Sequence, residues 1–509
     1  MLHDVSGPDR ARFAGGARFD VCVVGAGPAG ITLARRLAER GLSVALMEAG
    51  GLELSDASQD VYVGETVGPD AFDLAVERLR YFGGSSGHWG GYCYPLDATD
   101  FAPRADGTLS GWPITKADLD PYQAEADAIL DLVPGSFADL VPSLAGPDFR
   151  QIPVRYSPPT RFGEKYLDEL AASGRIALGL NANLVDLRLG PDLATVEAAA
   201  FRSYAPGDPG FELSAGAYAL CLGGLENPRF LLNCTAQRPA GIGNEHDLVG
   251  RYFCEHLHMA LGDAVLEEPM AQATFFAPTP AFLAEHGVLN FKIEVRPLDL
   301  PVPPLGTALA QSVRCFEPFA ERLAAAVFDA EGSCRPGRGF GTYVARRFIE
   351  PGTRARLEIA SEQVLQRDSR VMLAGTTDAF GLRRIRFDWR RMNEADHATL
   401  RTAVDSFARA MAAAGLGRFR PRDWLRDPAT MPRAGETDGQ EGLWHHMCAT
   451  RMADDPREGV VDRDCRVHGL ANLYVGGSSV FATPGHTYPT YSIVQLALRL
   501  GDHLALRGL

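Results

Sequence analysis

The sequence predicts an α/β chain: a discontinuous Rossmann-type domain that cradles a dinucleotide, carrying an inserted second domain. Three observations predict it. The apolar run Phe19–Val24 breaks into Gly25-x-Gly27-x-x-Gly30 and opens a helix-like segment. A second apolar run, Ser43 to Met47, ends in Glu48, about 20 positions past the glycines, where a ribose-binding acid belongs. The strand-into-glycine pattern then returns twice, at Ala217–Leu222 before Gly223-Gly224 and at Leu473-Tyr474-Val475 before Gly476-Gly477.

Each element has a reason in the chain. Gly25 permits the tight turn, Gly27 lets backbone approach a pyrophosphate, and Gly30 lets helix pack on strand, while the helix N-terminus offers free N–H groups to the anion. Ile31 to Arg40 reads as the amphipathic helix, ended by Gly41-Leu42. The Glu48 carboxylate accepts a hydrogen bond from a ribose 2′-hydroxyl and would repel a 2′-phosphate. Residues 176 to 189 look like further short buried strands, and a helix starts at Asn227-Pro228. Val371 to Leu373 and Arg384 to Trp389, separated by Asp378-Ala-Phe-Gly381, read as a β-hairpin, followed by a helix across Ala395 to Ala414. Thr490 to Leu506 forms a strongly amphipathic terminal helix. These elements assign 15–95, 176–258 and 431–509 to the dinucleotide domain and 96–175 and 259–430 to the inserted one. No internal repeat or low-complexity tract interrupts them.

At 509 residues the chain exceeds the usual ceiling for one core, which favours two domains. Hydrophobic content of 46% and charged content of 22% are those of a globular protein. With 50 Lys+Arg against 64 Asp+Glu the net charge is -14, which argues against nucleic acid or an anionic membrane as partner. The nine cysteines include no Cys-x-x-Cys pair, so reduced, packed thiols in a cytoplasmic protein are expected. The first eighteen residues have no apolar core of the kind a secretory signal needs, so none is expected, and no stretch approaches the roughly 20 apolar residues of a spanning helix.

Two constellations carry chemistry. The loop Gly83-Gly84-Ser85-Ser86-Gly87-His88-Trp89-Gly90-Gly91 packs five glycines around a His-Trp pair, a density that lets backbone lie against a flat ligand such as a flavin. The segment Trp444-His445-His446-Met447-Cys448-Ala449-Thr450-Arg451-Met452 carries paired histidines, the side chain best matched to taking a proton near neutral pH. Adjacent residues on an extended strand point to opposite faces, so at most one of the two is expected to face a ligand, a buried structural histidine being the plainer reading. Neighbouring histidines lack ligand spacing, so no metal is expected.

The cradle, the Gly-Gly-Ser-Ser-x-His-Trp loop, Gly223-Gly-Leu-Glu-Asn-Pro-Arg229, His246-Asp-Leu-Val-Gly-Arg-Tyr-Phe253 and the C-terminal block, in this order, resemble the glucose-methanol-choline (GMC) family of flavin oxidoreductases. The His-Trp loop and Gly476-Gly477 look most like its pyranose-oxidase-like bacterial branch. The resemblance implies FAD, an inserted α+β substrate domain built on an antiparallel sheet, and oxidation of an alcohol group of a sugar-like, polyol or natural-product substrate to a carbonyl. It implies a cofactor set of Gly25, Gly27, Gly30, Glu48, Gly84, Ser85, His88, Trp89, Gly90, Val185, Gly477 and Pro489. The family motif His-x-x-Gly-Thr-x-Arg-Met, counted back from Arg451-Met452, falls on His445 as base, removing the hydroxyl proton while hydride leaves for flavin N5. Cys448 and Ala449 stand where the motif has Gly and Thr, and Tyr488, before Pro489-Thr490, replaces the partner Asn or His. Some members bind flavin covalently through a histidine at the place of His88, while others pack the same His-Trp pair without a bond. The electron acceptor is open among oxygen, a quinone and a carrier protein. Tyr488 also keeps a second reading open, a flavin-bound lyase-type enzyme using Tyr488 and His445 as acid and base.

Overall fold

The computed structural model describes residues 2–508 apart from 15, 69–71, 104–108, 110, 141–143, 145, 269, 271, 299–353, 428–429 and 431–443. Cys315, Cys334 and the expected boundary at 431 lie outside the described residues.

The first sheet is parallel at its centre because its strands are linked by helical crossovers. Leu2–Asp4, Ile176–Leu180, Val44–Met47, Arg18–Val24 and Phe211–Leu220 lie side by side in that order. Leu473–Val475 adds in parallel to the end of Phe211–Leu220, and Val196–Arg202 and Asn183–Leu189 extend the edge antiparallel. Val21, Val23, Val44 and Leu46 are fully buried, as strands covered on both faces require. The helix Pro28–Glu39 starts on proline at its first position and packs along Pro489–Ala505, which also starts on proline.

The second sheet is antiparallel throughout, in the order Gly417–Pro421, Leu257–Leu266, Arg354–Ser361, Phe291–Pro297, Thr274–Pro278, Phe149–Ile152. Its two faces differ because side chains alternate along a strand. Phe291, Ile293, Val295, Ala355, Leu357 and Ile359 pack into an apolar layer with Leu400, Ala403, Val404, Phe407 and Met411 of the helix Glu394–Ala413. That helix is started by Asn393, whose side chain accepts from the N–H groups of Ala395 and Asp396. The opposite face carries the alternate residues Lys292, Glu294, Arg296, Arg356 and Glu358.

The hairpin forms as Arg370–Thr377 and Arg383–Asp388, and its outer strand pairs in parallel with Glu65–Val67 rather than with the six-stranded sheet. Its inner side joins Leu225, Phe253 and Ala449 in a small apolar cluster. Among the described residues no helix is long and apolar enough to cross a membrane. The seven described cysteines are all buried, and none of them forms a disulfide.

Candidate active site and cofactor cradle

Gly25 has a φ of +100°, and a Cβ there would lie 2.4 Å from the Cys221 carbonyl oxygen. A Cβ on Gly30 would lie 1.8 Å from the Gly25 carbonyl oxygen, so helix and strand pack at a distance only glycine allows. Gly27 is different. A Cβ there would meet nothing nearer than the Gly84 Cα at 4.0 Å, and Gly27 lines a cavity of about 670 Å³. The helix Pro28–Glu39 begins without a side-chain cap, leaving its first N–H groups available to an anion. Glu48 is buried, and its carboxylate accepts from the Ala26 N–H at 2.7 Å and the Gly50 N–H at 2.9 Å. Burial raises its pKa above the usual carboxylate value. An open glycine at a free helix N-terminus, with an oriented acid beside it, fits the adenosine and pyrophosphate of FAD.

The same cavity is lined by Gly84, Ser85, His88, Trp89, Gly90, Gly477 and Pro489. Trp89 is held by its indole N–H on the Thr160 carbonyl at 2.9 Å, and the His88 ring tilts against Trp444 at 5.7 Å between centroids. Gly30 acts behind the cavity wall as packing. Val185 does not line it: alternation along Asn183–Leu189 gives that wall Leu184, together with Ala182 before the strand.

At the other end, a pair of bridging hydrogen bonds between Cys254 and Met447 sets two short segments side by side. The consequence is a contact between His256 and His445, whose Nδ1 atoms are 2.8 Å apart. His256 Nε2 lies 3.2 Å from the Pro484 carbonyl, which can only accept. Neutral His256 therefore carries its proton on Nε2 and presents a lone pair at Nδ1, to which His445 donates from its own Nδ1. His445 is left with Nε2 as its proton-accepting nitrogen, and His445 lines the cavity. Burial, then the neighbouring His256 and Lys292, holds the His445 pKa well below the usual histidine value. Glu255 clamps both segments, accepting from the backbone N–H of His256 at 2.9 Å and of His445 at 2.6 Å, and its burial pushes its pKa up to about 8.

His446 also touches the cavity wall but is committed elsewhere. Its Nε2 lies 3.2 Å from Glu77, its ring stacks on Phe72, and burial pulls its pKa down to about 3. His486, two residues before Tyr488, is fully buried and bonded to Asp97 at 2.8 Å. Tyr488 lines the cavity with its ring perpendicular to His445 at 5.9 Å, against Tyr92 at 4.9 Å. Burial, then Glu294 and Tyr92, raises its phenol pKa well above the ordinary value, so it stays protonated. Lys292 Nζ donates to the His486 carbonyl at 2.7 Å and sits 3.9 Å from the Tyr488 ring centre, its pKa pulled down to about 7 by burial.

Cys448 has φ of +69°, the left-handed region that favours glycine, which explains why the motif carries glycine there. Glu255, His256 and His445 bring ligand-type atoms within 4.8 Å of one another. Both Glu255 oxygens already accept backbone N–H groups and the two Nδ1 atoms face each other at hydrogen-bond distance, so the geometry is that of a proton network. The pattern missed His256 and Glu255, which carry no motif of their own. It also passed over Lys292-Ile-Glu294-Val-Arg296, whose charged and apolar alternation was a readable signal of a two-faced strand.

A GMC oxidoreductase family model matches residues 366–497, and an FAD dependent oxidoreductase model matches residues 20–67. Across 96% of its length the chain is 24% identical to 2-methyl-1,2-propanediol dehydrogenase of Mycolicibacterium austroafricanum, covering 95% of that protein. It is also 24% identical to 6'''-hydroxyparomomycin C oxidase of Streptomyces lividus, over 96% of this chain and 92% of the other. The fold is similar to that of pyridoxine 4-oxidase from Mesorbium loti, with a TM-score of 0.56 at 16% identity, covering 95% of this chain and 98% of that one. With its cradle, its cavity and these likenesses, the chain carries a GMC oxidoreductase C-terminal domain, is similar to GMC proteins along nearly its whole length, and is an FAD-dependent alcohol oxidoreductase.

Proposed function

We propose that the enzyme oxidises a CH–OH group of a sugar-like, polyol or natural-product substrate, with His445 as the base. The observation that carries this reading is the His256–His445 contact at 2.8 Å, which leaves a proton-accepting Nε2 on a cavity-lining histidine. When bound, FAD supplies the acceptor for a hydride equivalent leaving the carbinol carbon. The chain's own share is cofactor binding, substrate orientation and the proton. Gly25, Gly27 and Glu48 would hold the adenosine and pyrophosphate, with Gly30 packing the helix behind them and the loop from Gly84 to Gly90 and the Gly477–Pro489 wall completing the cradle.

His445 Nε2 takes the hydroxyl proton, which moves electron density onto the alcohol oxygen and assists loss of hydride from carbon. Its lowered pKa keeps it neutral and ready at neutral pH. Tyr488, protonated and on the same cavity, donates to the substrate oxygen and helps hold it for His445. The six-stranded sheet supplies the substrate side of the cavity through Glu294, Arg296, Arg356 and Glu358. The similar proteins, a 2-methyl-1,2-propanediol dehydrogenase, a 6'''-hydroxyparomomycin C oxidase and a fructose dehydrogenase large subunit, support a hydroxylated small molecule as substrate. The cradle offers shape, a helix terminus and Glu48 to FAD, and none of these needs a bond to His88, so the reading is of noncovalent FAD. Acid precipitation tests that: free FAD leaves a yellow supernatant, whereas a yellow pellet would show a histidyl link. The alcohol reading itself is tested by anaerobic bleaching of the bound flavin with a panel of sugars and polyols, and a panel that bleaches nothing contradicts it.

A further inference from the structure

Opposite the cofactor cradle the cavity wall is one face of the antiparallel sheet, and its register brings two acids together. Glu294 pairs directly across from Glu358, and Arg296 across from Arg356. Like charges directly opposite on adjacent strands destabilise a sheet, and burying carboxylates adds a desolvation cost. Here both are deeply buried, with side-chain exposures of 6% for Glu294 and 3% for Glu358. The fold does not need them, since the opposite face of the same strands already supplies the apolar core.

Arg296 bridges the two acids, 2.8 Å from Glu294 and 2.9 Å from Glu358, but its own side chain is 43% exposed. It reaches in from the rim while the carboxylates sit deeper. Arg356 turns to Asp263 at 3.3 Å, and Lys292 is engaged by the His486 carbonyl. Beside the acids stand Tyr92 and Tyr488, stacked at a tilt with 4.9 Å between ring centres and both lining the cavity. Paired carboxylates flanked by aromatic faces make an acceptor set that suits an organic cation, because the carboxylates supply negative charge and the rings supply negative π-faces.

Resting on the alcohol-oxidation reading above, we propose that Glu294 and Glu358, with the rings of Tyr92 and Tyr488, bind a protonated amine of the substrate, so that the alcohol oxidised belongs to an amino alcohol or amino sugar. The amine sits at the acid pair while the hydroxyl reaches His445, which makes the charged end a fixed anchor for the reacting one.

Matched probes test this on the FAD-loaded protein: 3-amino-1-propanol against 1-propanol, and D-glucosamine against D-glucose, with D-glucuronate as anionic control. Binding is read calorimetrically under anaerobic conditions, and flavin bleaching is read in parallel. The amine of at least one pair is expected to bind roughly tenfold or more tighter than its neutral partner, the scale of a charge-assisted hydrogen bond. Glu294→Gln and Glu358→Gln, isosteric changes that also remove the like-charge clash, are expected to erase that ratio while keeping a folded, FAD-binding protein. Neutral probes matching or exceeding both amines, glucuronate binding best, amines failing to bind at all, or a ratio unchanged in both variants each overturn the proposal. Failure of the underlying reading looks different: amines bind with the expected bias, yet no alcohol of any charge bleaches the flavin.

Discussion

His256 and His445 share a single proton between facing Nδ1 atoms 2.8 Å apart, and the Pro484 carbonyl decides which ring owns it. Because the carbonyl must receive a proton from His256 Nε2, the shared one belongs to His445 and its Nε2 stays free. The tautomer of the base is thus set two groups away from the substrate, by a backbone oxygen. Replacing His445 with Ala should lower the rate of flavin reduction by about 10²–10⁴-fold, the usual contribution of a positioned base. His256→Ala leaves the imidazole in place but frees its tautomer, so a smaller loss is expected, with a changed pH profile. Stopped-flow reduction of both variants checks this, and a His256→Ala enzyme with parental rate and profile would remove His256 from the proton network.

The depressed His445 pKa has a sign. A base must be neutral to act, and burial together with His256 lowers the pH at which His445 gains a proton. The reduction rate constant should therefore hold level as pH falls from about 8 to about 6 and drop only below, whereas an unperturbed histidine would already be losing activity near its ordinary value of about 6.5. A reduction limb centred near that value would contradict the assignment.

Glu255 gives a pH dependence of stability. Its pKa rises from 4.5 unfolded to about 8 folded, through burial, so the folded state holds the proton more tightly. Its contribution is fully present below pH 4.5 and is lost as pH rises toward about 8. Replacing it with Gln should flatten the fall in thermal stability across that window, whatever the absolute change. Parallel Tm-against-pH curves for the two proteins would show that Glu255 does not titrate there.

The cradle glycines separate fold from cofactor. Gly30→Ala forces a Cβ to 1.8 Å from the Gly25 carbonyl oxygen and should destabilise the whole domain, lowering Tm even without FAD. Gly27→Ala meets nothing within 4 Å except the Gly84 Cα at its limit, so the protein should fold normally and lose FAD affinity instead. Apoprotein melting and FAD titration by fluorescence distinguish the pair. Equal behaviour in both assays would mean Gly27 does not face the cofactor.

Tyr488→Phe keeps the ring that packs on Tyr92 and lies beside Lys292 but removes the donor. A loss in reduction rate of roughly 10²-fold is expected with FAD binding retained, the scale of a positioned acid or base. A parental rate would make Tyr488 a wall of the cavity only.

The dinucleotide half was legible because its signals are local. Gly25, Gly27 and Gly30 act within one turn, and Glu48 ends the very next strand. His445 was reachable by counting along a motif; the alternation rule expected at most one of the pair to face a ligand, whereas both His445 and His446 line the cavity. Val185 stands one step from the cavity wall, since a single step along a strand changes face and Leu184 takes the wall. His256 was not legible, because its role comes from a bridge between residues far apart in sequence and from a backbone carbonyl that no side-chain pattern reports. Glu294 and Glu358 were each visible as charges on alternating strands, but only the register that sets them opposite one another makes them a site.

The central claim is that this chain moves a proton from an alcohol to His445 while FAD accepts the hydride. Anaerobic mixing of FAD-loaded protein with a panel of amino alcohols, sugars and polyols, read at the flavin absorbance, tests it most directly. The account predicts that at least one alcohol bleaches the parental flavin within the mixing series and that His445→Ala, carrying the same bound FAD, is slower by about 10²-fold or more. Flavin left oxidised by every alcohol, or bleached equally fast in His445→Ala, would contradict it.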